Sequence, residues 1–140
     1  MKRIRLLVLL GAVAVALPLG LSAAHATGGG GGTPANQVTI QQYVDYDFAG
    51  AALDVGLYLR CTGGSGSVIV NVSQSPPETP YPLGAGSGPQ IVVCDNSTHA
   101  VGVTITGFGF DAGRAKVTAD LTTASGGSAH AERWATIVVV

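Results

Sequence analysis

The chain has 140 residues, with seven Lys and Arg against eight Asp and Glu, and charged residues make up only 11% of it. With no basic excess it lacks the electrostatic footprint that holds phosphate backbones or anionic lipid, so nucleic acid is excluded as an expected partner.

The first segment reads as an export signal. Lys2, Arg3 and Arg5 precede an apolar run from Leu6 to Leu17, and Ala24-His25-Ala26 follows with small residues at the −3 and −1 positions of a cut. A basic start, a short apolar stretch and a small-residue site make a secretory signal peptide over residues 1–26. The apolar run is short for a membrane span, which takes roughly 20 residues. No membrane anchor is expected after cleavage, and the product is expected to be secreted. Cleavage leaves four basic residues against eight acidic ones, a net charge of −4. Residues 27–140 suit one domain, which buries roughly two-thirds of the surface of its unfolded chain.

Residues 27–36 begin T-G-G-G-G-G-T-P. Glycine runs lose too much entropy on ordering, so this is a flexible leader to a domain spanning residues 37–140. It lacks the Lys and Ser/Thr pattern of a phosphate-binding loop. From Gln37 to Phe48, the residues Val38, Ile40, Val44, Tyr46 and Phe48 share one parity, broken at Gln42, and predict a first strand. Asp45 and Asp47 straddle Tyr46 on one side of it, which suits a calcium ion or a solvated face. The solvated face is the reading taken, and no metal is expected.

The second run, Ala51 to Cys61, alternates Ala51, Leu53, Val55, Leu57, Leu59 and Cys61 against Ala52, Asp54, Gly56, Tyr58 and Arg60. This is a strand with one face in a core. Thr62 to Ser67 reads as a hairpin loop, and Val68, Val70 and Val72 mark a third strand. Ser75 to Pro89 is then the longest irregular stretch of the domain. The four prolines of its Pro76–Pro82 half favour an extended, pre-ordered segment, with Pro80, Tyr81, Pro82 and Leu83 as a candidate partner-binding segment.

Gln90 to Cys94 forms a short fourth strand and Asp95-Asn96-Ser97 a turn. Ala100 to Thr106 is a fifth strand, and Phe108 to Gly113 a corner with Phe108 and Phe110 as two aromatic plugs. Arg114 to Leu121 alternates cleanly as a sixth strand. Arg133 to Val140 is a seventh strand whose parity is ambiguous, so Trp134 is either a core ring or an exposed aromatic anchor for a glycan or protein ligand.

No helical period survives beyond the export signal. Seven short β-rich runs punctuated by Gly and Pro predict an all-β fold, a seven-stranded antiparallel immunoglobulin-like β-sandwich with Greek-key connections. An exported chain meets an oxidising environment, so its two cysteines are expected to pair as Cys61–Cys94. On the chain-entropy account that bridge contributes about 3–4 kcal/mol.

Together, the export signal, single disulfide and strand spacing resemble small secreted immunoglobulin-like β-sandwich proteins of actinobacteria. The resemblance covers Gln37 to Val140. It is carried by L-Y-L-R-C at Leu57–Cys61, V-I-V-N-V-S-Q at Val68–Gln74, V-V-C-D at Val92–Asp95 and F-D-A-G-R-A-K-V-T-A-D-L at Phe110–Leu121. Such proteins mostly lack an assigned activity, so the resemblance implies an architecture and carries no functional residue across. The chain departs from true immunoglobulin domains in placing Cys94 on the fourth run and no Trp on the third.

Catalytic chemistry is not expected. His99 and His130 are the histidines beyond the signal, and no nucleophile-elbow pattern accompanies either. His130 and Glu132, two apart, read as a surface polar pair. The expected function is therefore a secreted, non-catalytic binding or interaction module, monomeric, without cofactors, for an extracellular protein or glycan. The alternatives are an enzyme inhibitor presenting the proline-rich loop, or a small extracellular hydrolase.

If the export reading holds, the intact mass of the exported protein corresponds to a chain starting at Thr27. A mass that retains Met1 to Ala26 contradicts it.

Overall fold

The computed structural model describes residues 35–78 and 84–140. The expected signal peptide, most of the expected glycine leader and the Pro80–Leu83 segment lie outside the described residues. The chain forms five strands: β1 (Gln37–Asp47), β2 (Ala52–Gln74), β3 (Gly84–Phe108), β4 (Gly113–Thr123) and β5 (Ser128–Val139). They follow the order β1-β5-β4-β2-β3, and β1 also pairs with β2. The strands β1, β5, β4 and β2 thus close into a four-strand barrel, with β3 on the outer side of β2. The β1–β5 pairing is parallel, and the other pairings are antiparallel.

Five strands stand where seven runs were expected, because two of the expected turns are bends within continuous strands. Thr62 to Ser67 is not a hairpin loop. Gly63 and Gly64 adopt φ of 110° and 83°, a region open to glycine at little steric cost, and the register slips between Arg60 and Gly64. The strand then continues. Its first half pairs with β1 through Ala52–Arg60, and its second half with β4 through Gly66–Ser73. On β3 the matching bend falls at Asp95-Asn96-Ser97, where Asn96 takes φ of 67°. Arg60 Nε donates to the carbonyl and the side-chain oxygen of Asn96 at 3.0 and 3.1 Å, which ties the two bends together.

The disulfide lies at this double bend. Cys61 and Cys94 are bonded, with Cα atoms 4.5 Å apart, and both are buried. Gly66 makes room for it, since a Cβ there would lie 3.1 Å from Cys94 Sγ and 3.0 Å from the Thr122 carbonyl oxygen.

Strand alternation delivers the core. Leu53, Val55, Leu57 and Leu59 of β2 meet Val38, Ile40, Val44 and Tyr46 of β1, and Val68, Val70 and Val72 meet Val117, Ala119 and Leu121 of β4. The break at Gln42 has a cause. Four steps of β1 from Ile40 to Val44 oppose two steps of β2 from Leu57 to Val55, so Gln42 is lifted out of the core. Arg133 donates to the Ile40 carbonyl at 3.0 Å beside this bulge. On β5, Ala131, Ala135 and Ile137 face inward, which resolves its parity.

The stretch from Ser75 to Pro89 is also shorter as a loop than expected, because β3 begins at Gly84. Gly84, Gly86 and Gly88 face inward, and each is confined. A Cβ on Gly88 would lie 2.7 Å from the Thr104 carbonyl oxygen, and one on Gly86 would lie 2.6 Å from Ile105 and 3.1 Å from the Thr106 carbonyl oxygen. The two halves of β3 therefore approach closely here, with the glycines set against the Thr104 and Thr106 carbonyls and the side chains of Ile105 and Phe110. At the same end Gln74 is buried and satisfied. Its Nε2 lies 3.1–3.3 Å from the carbonyl oxygens of Glu78, Asp111 and Arg114, and its Oε1 accepts from Asp111 N at 2.9 Å. Leaving such a group unpaired would cost about 1–3 kcal/mol.

Two glycines of β3 separate close packing from strand propensity. Gly88→Ala is expected to lower stability by about 1–3 kcal/mol, because the opposing atom is backbone and has little room to yield. Gly102 has no atom within 4 Å of a built Cβ. Gly102→Ala is expected to be neutral or stabilising by about 0.4–1 kcal/mol. Urea unfolding of both variants checks this, and an equal loss in the two would refute the backbone contact.

Candidate binding surface

Trp134 faces outward on β5 and is 50% exposed, so the core-ring reading of this residue does not hold. It is directly opposite Lys116 on β4, and the Arg114 guanidinium carbon lies 5.0 Å from the centre of its ring. That geometry is a cation–π contact, worth about 0.5–1 kcal/mol at an exposed site. Lys116 is held by Glu132 at 3.0 Å, on the same sheet face. Arg114 pairs across the strands with Thr136, and Thr136 pairs with the exposed Tyr43 of β1. The result is an aromatic ring on a rigid sheet, rimmed by two cations, with a second ring one strand away.

The distribution of charge sharpens this face. Beyond residue 26 the chain has four basic residues, Arg60, Arg114, Lys116 and Arg133, and two of them, Arg114 and Lys116, share the outward face of Trp134, whereas Arg133 has the opposite parity and donates to the Ile40 carbonyl. The carboxylates of Asp45 and Asp54 are placed opposite one another on β1 and β2. Thr104 donates to Asp54 at 2.7 Å. Asp47 caps its own turn, accepting from the Ala49 and Gly50 amides at 2.9 and 3.2 Å. Asp45 and Asp47 are therefore committed to different surroundings. Among the described residues no group of three His, Cys, Asp or Glu side chains is placed to hold a metal ion.

Among the described residues, each of the two histidines is paired with an aspartate. His99 Nε2 lies 2.7 Å from Asp95, and His130 Nδ1 lies 2.6 Å from Asp120 across the β4–β5 ladder. Both pairs are partly exposed, and neither joins a serine hydroxyl. His130 and Glu132, expected as one polar pair, have separate partners, Asp120 and Lys116. The Asp95 carboxyl is held below its ordinary value of 3.8, first by the hydrogen bond from His99 and then by the Ser97 amide.

A second apolar feature lies at the end of the barrel near the β1–β2 turn. Tyr46 packs edge-on against Phe48 and Phe110, with ring centres 6.1 Å apart in both pairs. Phe110 is buried, as a plug should be, but Phe108 is 81% exposed. Phe108 lines an open cleft of about 450 Å³ with Gly50, Ala51, Ala85, Thr106 and Gly107.

Of the candidate residues read from sequence, the structure pairs Cys61 with Cys94 and exposes Trp134. Pro80, Tyr81, Pro82 and Leu83 lie outside the described residues. Sequence reading did not find Arg114, Lys116 and Tyr43 beside Trp134. The parity of β4 places Arg114 and Lys116 on its outer face, but only the β4–β5 and β1–β5 registers bring them to the indole.

The sign of the Asp95 shift gives a pH dependence. A carboxyl with a depressed folded-state pKa contributes stability above its ordinary value and loses it as pH falls through the folded value. Asp95→Asn is expected to flatten the loss of stability as pH falls below the ordinary carboxyl value of 3.8, relative to wild type. Urea midpoints at several acid pH values test this, and identical slopes for the two proteins would contradict it.

No family model matches the chain, and no curated protein matches its sequence.

Proposed function

We propose that this chain is a secreted, non-catalytic binding module whose Trp134 face takes an extracellular protein or glycan. The carrying observation is the half-exposed indole of Trp134, stacked by Arg114 and flanked by Lys116 on a regular sheet. A large aromatic ring held by strands rather than loops is a pre-organised anchor, and it loses little conformational entropy on docking. The Cys61–Cys94 bridge favours an oxidising compartment, in keeping with the export signal. Among the described residues no helix is long and apolar enough to cross a membrane.

On this reading the domain is an immunoglobulin-like β-sandwich. Support for that architecture comes from the bends of β2 and β3. Each divides its strand into two segments, so the five strands supply seven segments in the positions of the seven apolar runs. The non-catalytic reading draws on the two His–Asp pairs, each lacking a nucleophile within hydrogen-bond reach among the described residues.

The test is a binding screen of the exported protein against peptidoglycan, polysaccharides and secreted proteins, repeated with variants. Trp134→Ala is expected to weaken the interaction found by roughly tenfold or more. Replacing His99 and His130 together is expected to leave it largely intact. Undiminished binding by Trp134→Ala removes the proposed site, and turnover that vanishes with either histidine replaces binding with catalysis.

A further inference from the structure

We propose that the exported chain forms a two-fold homodimer by antiparallel pairing of its β3 strands across the run Gln90–Cys94. Strand β3 is the last in the order β1-β5-β4-β2-β3, and β2 is its only paired neighbour among the described residues. Gly84–Gly88 lie against the other half of β3, but along Gln90–Cys94 the side away from β2 presents backbone N–H and C=O groups with no paired strand among the described residues. Such an edge is a template for another strand, and natural proteins commonly blunt it with lysine or other charges. Here β3 has no Lys or Arg, and the stretch Gly84–Cys94 has no charged residue at all.

The side chains beside this edge point to the same conclusion. Burial of Val92 and Cys94, the latter pinned by the disulfide, forces Ile91 and Val93 outward, where they are 73% and 59% exposed. Ile69, the cross-strand neighbour of Pro89, extends the apolar strip onto β2. Ile91 and Val93 are opposite Ser67 and Ser65, so the strip has a small polar border. A joining strand would gain backbone hydrogen bonds and apolar burial together.

The run has ends. Pro89 has no N–H to contribute, and the left-handed Asn96 bends the strand just beyond Asp95. A second copy of the same run satisfies all these conditions. An antiparallel register centred on Val92 sets Ile91 of each copy against Val93 of the other. It brings no like charges together within the run, which matters for a domain of net charge −4. Because the contact is isologous, each edge is consumed by the other, and assembly stops at two. The expectation of a monomer from sequence gives way to this reading. The proposal is independent of the Trp134 site, which lies two strands away across β2 and β4.

The mass of the exported protein is measured by sedimentation and light scattering over a broad concentration series. The expected result is reversible dimerisation of wild type. Ile91→Lys and Val93→Lys, both at exposed positions, are each expected to raise the dimer dissociation constant on the order of 100-fold, by setting a charge against the partner's apolar strip and two lysines diagonally across the axis. Circular dichroism identical to wild type shows that the variants remain folded, and Trp134→Ala is expected to dimerise normally. Amide exchange offers a second readout that needs no variant. The β3 amides that face away from β2 are expected to lose protection on dilution, while those facing β2 keep it. A wild type that stays monomeric at all concentrations overturns the proposal. So does a dimer retained by both lysine variants, an assembly larger than two, or edge amides that exchange freely at high concentration.

Discussion

The Cys61–Cys94 bridge lies where the β2–β3 ladder is interrupted, and the architecture turns on that point. Strand β2 leaves β1 and joins β4 across this bend, so the bend converts one long ribbon into a closed barrel. A slipped ladder with two left-handed glycines is the weakest place in any sheet, because register there is not enforced by continuous pairing. The bridge, Gly66 beneath it and the Arg60 contact to Asn96 hold both strands in one register. A covalent link between cysteines 33 positions apart also restricts the unfolded chain, which is where most of its stabilisation arises in the chain-entropy account.

A second constraint follows from the first. Once the ribbon folds back on itself, the two halves of β3 come together, Gly84, Gly86 and Gly88 against the stretch from Thr104 to Phe110. Side chains there would force the layers apart, and Gly84, Gly86 and Gly88 supply none. Val103 and Ile105 of β3 and the nearby Phe110 pack against this stripe, and Leu53, Leu57 and Leu59 of β2 fill the core beyond them. Strand β3 remains outermost in the strand order, and its outward face carries Ile91 and Val93. Close packing inside and an unprotected edge outside are two consequences of one folded ribbon.

Polar groups are arranged around this frame with little waste. Gln74 closes the end of β2 by bonding to three carbonyl oxygens and one amide, and no buried side-chain nitrogen or oxygen among the described residues lacks a partner. The surface charges are sparse. Arg114 and Lys116 flank Trp134 on β4, with Glu132 holding Lys116 and Asp120 holding His130 on the same face. In a domain with so few charges, two of four cations beside one exposed indole distinguish that face from the rest.

The sequence by itself determined the strand faces other than that of β5, the bridge and the all-β class of fold. Period-2 alternation from Leu53 to Cys61 and from Ala115 to Leu121 needs no partner to be read, because successive side chains of any strand point to opposite sides. Parity also carried over to residues never singled out: with Cys94 inward, Ile91 and Val93 had to face out. Strand continuity was not legible. Thr62–Ser67 and Asp95–Ser97 have the composition of turns, and Gly, Asn and Ser serve equally at a turn or at a bend within a paired strand. Only the ladder between β2 and β3 decided that the chain passes through both. The glycine stripe looked like loop for the same reason, since its purpose is contact with Thr104 and Thr106, far away in sequence. Phe108 and Phe110 share parity and composition, yet only Phe110 lies over Tyr46. The surroundings of Trp134 belong to this group as well. Arg114, Lys116 and Tyr43 reach it through the β4–β5 and β1–β5 registers, and register between distant strands is a property of the closed barrel, not of any local run of residues.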